Sequence, residues 1–471
     1  MSVRYLTRVL LALCCVAVAW LATGGAGAAE PQPSEGSRHV VLISLDGFPG
    51  WALEDPYLPV PTLRRLAADG AVARGGMRGV NPTVTWPTHT SMVTGVTPAR
   101  HGVLFNGLLI REPGVPPRVE PWRDRDEMVR APTLYDLAHA RGLTIAQVDW
   151  VAIQNAPTIT WEFPERPDPS GQIARELVQA GHLSRADLET FHTRNITWRD
   201  HIWTLAGAHI IRQHRPNLLL FHLLNLDSTH HRYGPRTPAG TSAMALLDTQ
   251  VAELLRAIDD AGLTARTTVF VVSDHGFKPV KRQILPNTAL QRAGLLQAEG
   301  NKVTRADAYV VPEGGTAIAY VTSADPDGAL LARLRTTLEG IEGIDRIVEA
   351  REFDRYGLPQ PSPSGQMGSL FLTAREGYAF SGAVGTEVTV ETGPASLGAH
   401  GHLADDPDLR ALFIASGRGI RRGTTLETVD VLDLAPTMAH LLGIEMQDVQ
   451  GRVLTSLLAP GHEDLQTPAR K

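Results

Sequence analysis

Aliphatic and β-branched runs punctuate the chain at 39–45, 144–148, 217–226, 267–273 and 412–415. Each is continuous rather than alternating, which predicts strands covered on both faces. Helical spacing of apolar residues fills the intervals at 61–69, 133–141 and 241–261, with a short helix expected at 433–442. Strands alternating with helices predict an α/β fold with a mostly parallel central sheet flanked by helices. Three of the runs lead into aspartates: Asp46, Asp227 and Asp274, the last followed by His275. Ligands in such sheets bind beyond the carboxyl ends of the strands, so the polar residues there mark the candidate site.

Residues 285–395 break this rhythm. A strand-like stretch at 306–322, a helix-like one at 327–339 and another strand-like one at 343–350 predict an inserted α+β cap of β-α-β form. A Pro/Ser/Gly loop is expected at 358–368 and a surface excursion at 113–122. The resulting division is a first part of the core at 38–284, the cap at 285–395, a second part of the core at 396–459 and a flexible tail at 460–471.

At the other end, residues 1–28 read as a signal peptide. Arg4 and Arg8 precede an uncharged, mostly apolar run at 9–22, and Ala26-Gly-Ala28 offers a small-residue cleavage site. That run is too short for a stable transmembrane span. Residues 29–37 follow as a linker, and the remainder is expected to be exported, periplasmic or extracellular. Cys14 and Cys15 are the only cysteines, so the exported chain would have no disulfide, no thiol nucleophile and no cysteine metal ligand. With 471 residues, 43% hydrophobic content and a formal net charge of -6, the composition is that of an ordinary globular protein and argues against a nucleic-acid scaffold.

Taken singly, an aspartate after a strand caps a turn or helix more often than it binds a metal. The set changes that reading: Asp46, then Asp227 and His231 in Asp-Ser-Thr-His-His, then Asp274-His275, then His400 in Gly-Ala-His-Gly. Carboxylates and imidazoles together are typical zinc donors, and three of each make two three-ligand sites with a position left open at each. Between the first aspartate and the rest lies the hydroxyl-rich stretch 81–95, leading into a short helical segment. A threonine hydroxyl there needs a metal or a base to become a nucleophile, and a helix N-terminus beside it favours an anion.

Leu45-Asp-Gly, Thr85-Trp-Pro-Thr-His89, Thr94-Gly-Val-Thr-Pro-Ala-Arg-His-Gly102, Asp227-Ser-Thr-His-His-Arg-Tyr-Gly-Pro235, Ser273-Asp-His-Gly276 and Gly398-Ala-His-Gly401 follow one another in a fixed order. This series resembles the nucleotide pyrophosphatase/phosphodiesterase family of the alkaline phosphatase superfamily, from about residue 39 to residue 444. The resemblance implies an alkaline-phosphatase-like core, two Zn²⁺ per chain and a phosphothreonine intermediate. Asp46, Asp274, His275 and Thr85 would hold one zinc, and Asp227, His231 and His400 the other. Thr85 would be the nucleophile, while Asn106 and the Thr85 N–H would hold a non-bridging phosphate oxygen. Departures from the family pattern are Trp86 and Thr88 in place of Phe and Asn, His230 beside His231, and His402 in place of an aromatic. His402 is expected beside the ligands or at the surface, not among them. Trp86 is placed either to stack on a base or face a quaternary ammonium of the substrate, or to pack as the floor of the loop.

The expected function is therefore metal-dependent hydrolysis of a small-molecule phosphodiester or nucleotide phosphoanhydride. Two divalent ions, three aspartates and a Thr85 alkoxide leave no net charge, which suits a diester monoanion better than a monoester dianion. The Lys-x-Arg pair of related Thr-type monoesterases is missing from 146–150. Arylsulfatase is disfavoured because the Cys/Ser-x-Pro-x-Arg site is absent. The alternatives are a phosphate monoesterase or phosphonate hydrolase on the same scaffold and, from another class, a non-catalytic metal-stabilised binding protein.

Overall fold

The computed structural model describes residues 38–462 except 325–327, 363–364 and 395. The signal peptide at 1–28, the linker at 29–37 and all but residues 460–462 of the expected tail lie outside the described residues. An eight-stranded sheet forms the centre, made of β1 (His39–Leu45), β2 (Ala71–Ala73), β3 (Ile145–Val148), β4 (Trp161–Phe163), β5 (Leu218–Leu223), β6 (Thr267–Val272), β11 (Phe413–Gly417) and β12 (Thr424–Leu426). Their order across the sheet is β12-β2-β11-β6-β1-β5-β3-β4. The middle strand β1 runs parallel to both neighbours, Val40 facing Leu218 on one side and Thr268 on the other. Only β11 reverses direction, lying antiparallel to β6 and β2.

The continuous apolar runs bury both faces, as a covered sheet requires. Val41, Ile43 and Leu45 of β1 join Leu219, Phe221 and Leu223 of β5 in one core, beneath α5 (Ile196–His214) and α7 (Pro238–Asp260). Val40, Leu42, Leu218 and Leu220 point the other way, against α2 (Thr85–Thr94), α3 (Leu134–Ala140) and α9 (Leu434–Leu442). Helix α1 (Pro61–Asp69) opens on a proline, and Asp248 of α7 accepts from the N–H groups of Thr62 and Leu63 at its buried first turn. Two further helices matter below: α4 (Gln172–Gln179), which packs on β4 and α5, and α6 (Asn225–Tyr233).

Three expectations are corrected. The 217–226 run is a strand only to Leu223; α6 begins at Asn225, so Asp227 sits in a helical first turn rather than at a strand end. Asp200 enforces the change, its carboxylate accepting from the N–H groups of Leu224 and Asn225 at 3.0 Å each. The 306–322 stretch is a hairpin, β7 (Ala308–Glu313) and β8 (Thr316–Val321), folded at Gly314-Gly315. With β9 (Ile344–Glu349) and β10 (Leu370–Ala374) it forms a four-stranded antiparallel sheet ordered β7-β8-β10-β9, so β-α-β is too small a description. One face of this sheet carries α8 (Gly328–Leu338) through Leu330, Leu334 and Leu338 at helical spacing. The other face buries Leu104 and Phe105 against Ile318, Tyr320 and Phe371, which fixes the segment that carries Asn106.

Candidate active site

The carboxyl end of β1 delivers Asp46, that of β6 delivers Asp274-His275, and the first and last turns of α6 supply Asp227 and His231. A turn after Gly398–Ala399 supplies His400. Donor atoms of Asp46, Asp274 and His275 lie within 4.8 Å of one another, and so do those of Asp227, His231 and His400. The His275 and His400 rings stack at 3.7 Å between centroids with 9° between planes, which places the two triads side by side.

All three histidines are held alike. Their Nδ1–H groups donate to backbone carbonyls: His231 to Gly398 at 3.1 Å, His275 to Gly276 at 3.2 Å and His400 to Thr83 at 2.9 Å. That tautomer leaves each Nε2 lone pair facing a carboxylate, the orientation a metal-binding imidazole needs. His275 Nε2 lies 3.2 Å from Asp274 and 3.5 Å from Asp46, while His231 and His400 lie 3.5 and 3.7 Å from Asp227.

The donors also lack something. Asp46 Oδ1, Asp227 Oδ1, Asp274 Oδ2 and His275 Nε2 are buried with no hydrogen-bond partner among the described residues. Burial and the nearby Asp274 and Asp227 push the Asp46 carboxyl well above the ordinary range. Burial pushes Asp227 up to about 6, and burial together with neighbouring imidazoles drives His275 and His400 well below theirs. Buried carboxylates raised by one another, beside imidazoles that stay neutral, are a donor set suited to cations. The residues present therefore fit divalent metal ions.

Thr85 opens α2, preceded by Val84 in extended conformation. His89 Nδ1–H donates to the Thr85 carbonyl at 2.8 Å and holds this first turn. Two residues earlier, the Thr83 carbonyl accepts from both His400 Nδ1 and the Gly401 N–H, so the segment leading to Thr85 is tied to the second triad. Gly401 is obligatory there: its φ is +82°, and a Cβ would fall 1.7 Å from the Glu313 carbonyl at the end of β7. The hairpin tip touches the same turn, Gly315 N–H donating to the His400 carbonyl at 2.8 Å.

Asn106 is exposed, and its Oδ1 accepts from the Trp86 N–H at 3.0 Å, which leaves its amide Nδ2 to donate outward. The Trp86 ring is 5% exposed and packed among Val103, Met128, Val129, Val151 and Ala152, the floor of the loop rather than an open stacking face. His230 packs against Phe277 and Gly240, away from the donor set that takes His231. His402 is buried, with Nε2 3.3 Å from the Tyr378 carbonyl, and belongs to neither triad.

Sequence reasoning missed His222 and Asp149. On β5, His222 points to the face of Leu218 and Leu220 and sits 3.1 Å from Asp46 Oδ2 through Nε2, and 3.2 Å from Asp149 Oδ2 through Nδ1. The two carboxylates outweigh burial and push this imidazole well above its ordinary pKa. Its signal was present, a histidine inside the aliphatic run Leu-Leu-Leu-Phe-His-Leu.

Residues 40–402 match the family described as type I phosphodiesterase / nucleotide pyrophosphatase. Human ectonucleotide pyrophosphatase/phosphodiesterase family member 7 is 25% identical over 456 residues, covering 94% of this chain and 88% of the relative. Its rat counterpart is 23% identical, covering 97% and 94%. Murine ectonucleotide pyrophosphatase/phosphodiesterase 5 superposes with a TM-score of 0.67 at 18% identity, over 90% of this chain and all of that one. The chain belongs to the type I phosphodiesterase / nucleotide pyrophosphatase family, metal-dependent hydrolases that act on phosphoric diesters and nucleotide pyrophosphates.

Proposed function

We propose that this chain is an exported phosphodiesterase or pyrophosphatase that takes a small-molecule diester or nucleotide, uses Thr85 as its nucleophile and holds two Zn²⁺. The observation that carries the reading is the common anchoring of His231, His275 and His400 through Nδ1, which turns three Nε2 atoms toward unpartnered carboxylates. Asp46, Asp274, His275 and Thr85 would hold one ion, and Asp227, His231 and His400 the other. Zinc supplies Lewis acidity there, favouring the ionised hydroxyl and the departing oxygen.

The residues do the rest. Thr85 Oγ1 attacks phosphorus, a phosphothreonine ester forms and the alcohol or nucleotide leaves; water then cleaves the ester and restores the hydroxyl. Asn106, fixed by the Trp86 N–H, presents Nδ2 to a non-bridging oxygen, with the Thr85 N–H at the head of α2 as a second donor. Trp86 forms the base of the leaving-group pocket. Lys278, on the short strand paired with Gly398–Ala399, is engaged by Asp406 and Glu376 and lends no free charge to a dianionic monoester. This favours diesters. Residues 285–395 are read as an inserted cap, supported by their own sheet and core. A murine relative solved with AMP was inactivated by a threonine-to-alanine substitution, which supports both a nucleotide ligand and a threonine nucleophile. The relatives' designation as ecto-enzymes agrees with export, and no helix among the described residues is long and apolar enough to cross a membrane.

The test is zinc-replete turnover of bis-p-nitrophenyl phosphate against p-nitrophenyl phosphate, for the wild type and Thr85→Ala, with a chelator control. Diester preference that disappears in the variant and in chelator is expected. Monoester preference would overturn the charge argument, and undiminished turnover in Thr85→Ala would overturn the nucleophile.

A further inference from the structure

At the far edge of the central sheet, beyond β4, a third donor set stands apart from the reaction centre. Glu176 of α4 meets His209 and His214 of α5, with donor atoms of all three within 4.8 Å of one another. Both imidazole Nε2 atoms lie 2.7 Å from the same carboxylate oxygen, Glu176 Oε2. Gln172 Nε2 donates to the other oxygen at 3.0 Å, from one turn earlier on α4. His214 is backed by Trp161 of β4, ring centroids 4.8 Å apart, while His209 and Glu176 remain partly open to solvent.

We propose that Glu176, His209 and His214 form a third metal site, a two-histidine, one-carboxylate set for a borderline divalent ion such as Zn(II), which clasps α4 to the C-terminal end of α5. The donor chemistry matches: imidazole nitrogen with carboxylate oxygen suits zinc, and three protein ligands leave one tetrahedral position for water. Zinc bonds of about 2.0–2.1 Å at tetrahedral angles separate donor atoms by about 3.3 Å, so the set opens by about 0.6 Å when the ion replaces the shared protons. Side-chain rotation at two partly exposed residues provides that.

The position gives the ion a task. Helix α4 has only eight residues and is joined to α5 through irregular chain and short helical turns at 180–195. The sequence contains no cysteine beyond Cys14 and Cys15, so no disulfide can staple these helices. A metal held by both performs that function, coupling its binding energy to their docking. It lies outside the hydrolytic chemistry, since none of its ligands belongs to the Asp46 or Asp227 triad.

The experiment compares wild type, His209→Asn and Glu176→Gln, each loaded with excess zinc and passed through a desalting column. Zinc content is measured by elemental analysis, and melting is followed in zinc and in chelator. The difference between wild type and variant, rather than the total, is the readout, so it stands whatever the reaction centre binds. Each variant should hold about one equivalent less zinc than wild type, with turnover of the diester substrate unchanged. Wild type should melt higher than the variants in zinc, with the gap narrowed in chelator. Equal zinc content, or a melting deficit as large in chelator as in zinc, would overturn the site and leave a hydrogen-bonded clamp. His209 is partly exposed, so His209→Asn should fold even if changes at the better-buried His214 do not.

Discussion

Replacing His222 with leucine tests how the first triad is held. The imidazole is 2% exposed and is the hydrogen-bond donor to Asp46 Oδ2 at 3.1 Å, while Asp149 approaches from behind at 3.2 Å. Because Asp149 offsets the imidazolium charge, removing His222 takes away an orienting donor rather than a cation that repels the metal. Partners that orient a metal-binding carboxylate are typically worth about 10- to 100-fold in metal affinity. His222→Leu should therefore raise the zinc dissociation constant by about that factor, equivalent to about 1.4–2.7 kcal/mol. Folding suffers separately, since each buried group left without a partner costs about 1–3 kcal/mol. Asp149 limits its own share, because burial has already pushed its carboxyl up to about 7 and it can take a proton when His222 is gone. The assay is competition for zinc against a fluorescent chelator at pH 7.5, with urea melts run in chelator alongside. His222→Gln keeps one amide donor and should fall between the two. An unchanged zinc affinity in His222→Leu would refute the orienting role, whatever happened to stability.

Asn106→Ala should lower kcat by about 10²- to 10³-fold with zinc content unchanged, the usual loss for one donor to a developing anion; steady-state kinetics beside elemental analysis checks it, and near-normal kcat would remove Asn106 from the mechanism. Gly401→Ala drives a Cβ into the Glu313 carbonyl at a backbone angle that alanine resists, so the protein should lose zinc at the His400 site or fail to accumulate, read by soluble yield and zinc content. His101 is pushed down to about 3 by burial, its Nδ1 accepting from the Val103 N–H and its Nε2–H donating to Ser91. The folded form therefore binds fewer protons than the unfolded one, whose imidazole titrates near 6.5, so stability is full above that pH and falls as pH drops toward 3. Between pH 7.5 and 5 this group alone should cost about 2 kcal/mol, and His101→Asn should flatten the slope by that amount in urea melts.

The sheet and the donor set were legible because each rests on a strong local signal. Buried strands read as unbroken aliphatic runs, and 61–69 coincides with α1 residue for residue. The six candidate donors stood out through type and motif, and the structure brings them into two groups. What escaped was written in distant partners. The end of β5 at Leu223 depends on Asp200 capping α6, a contact across 24 residues that no window around Asp227 contains. The 306–322 hairpin hid because the apolar runs 308–311 and 317–321 lie so close on either side of the turn at Gly314-Gly315 that the turn passed as part of one strand. His222 was visible as an oddity in β5, but its meaning needed Asp149 from another strand end. For Trp86 the sequence left open a substrate-facing ring or a packed floor, since proximity to Thr85 in sequence says nothing of which way a ring faces; the structure packs it as the floor.

The reversed strand β11 has a consequence for how the protein comes into being. It lies between β6 and β2, while among the described residues β2 is otherwise bonded only to β12, so an early segment of the chain enters the sheet through strands made near its end. The stretch that carries Thr85 follows β2, after the short strand Met77–Arg78. Pairings across such long separations form late, because the intervening loop must first be closed. A partly synthesised chain can assemble the β1-β5-β3 half of the sheet and still leave the Thr85 segment unseated. Commitment to the native form therefore comes with residues 413–426, and a nick that freed them would release β2 as well, severing the chemistry from a scaffold otherwise left largely intact.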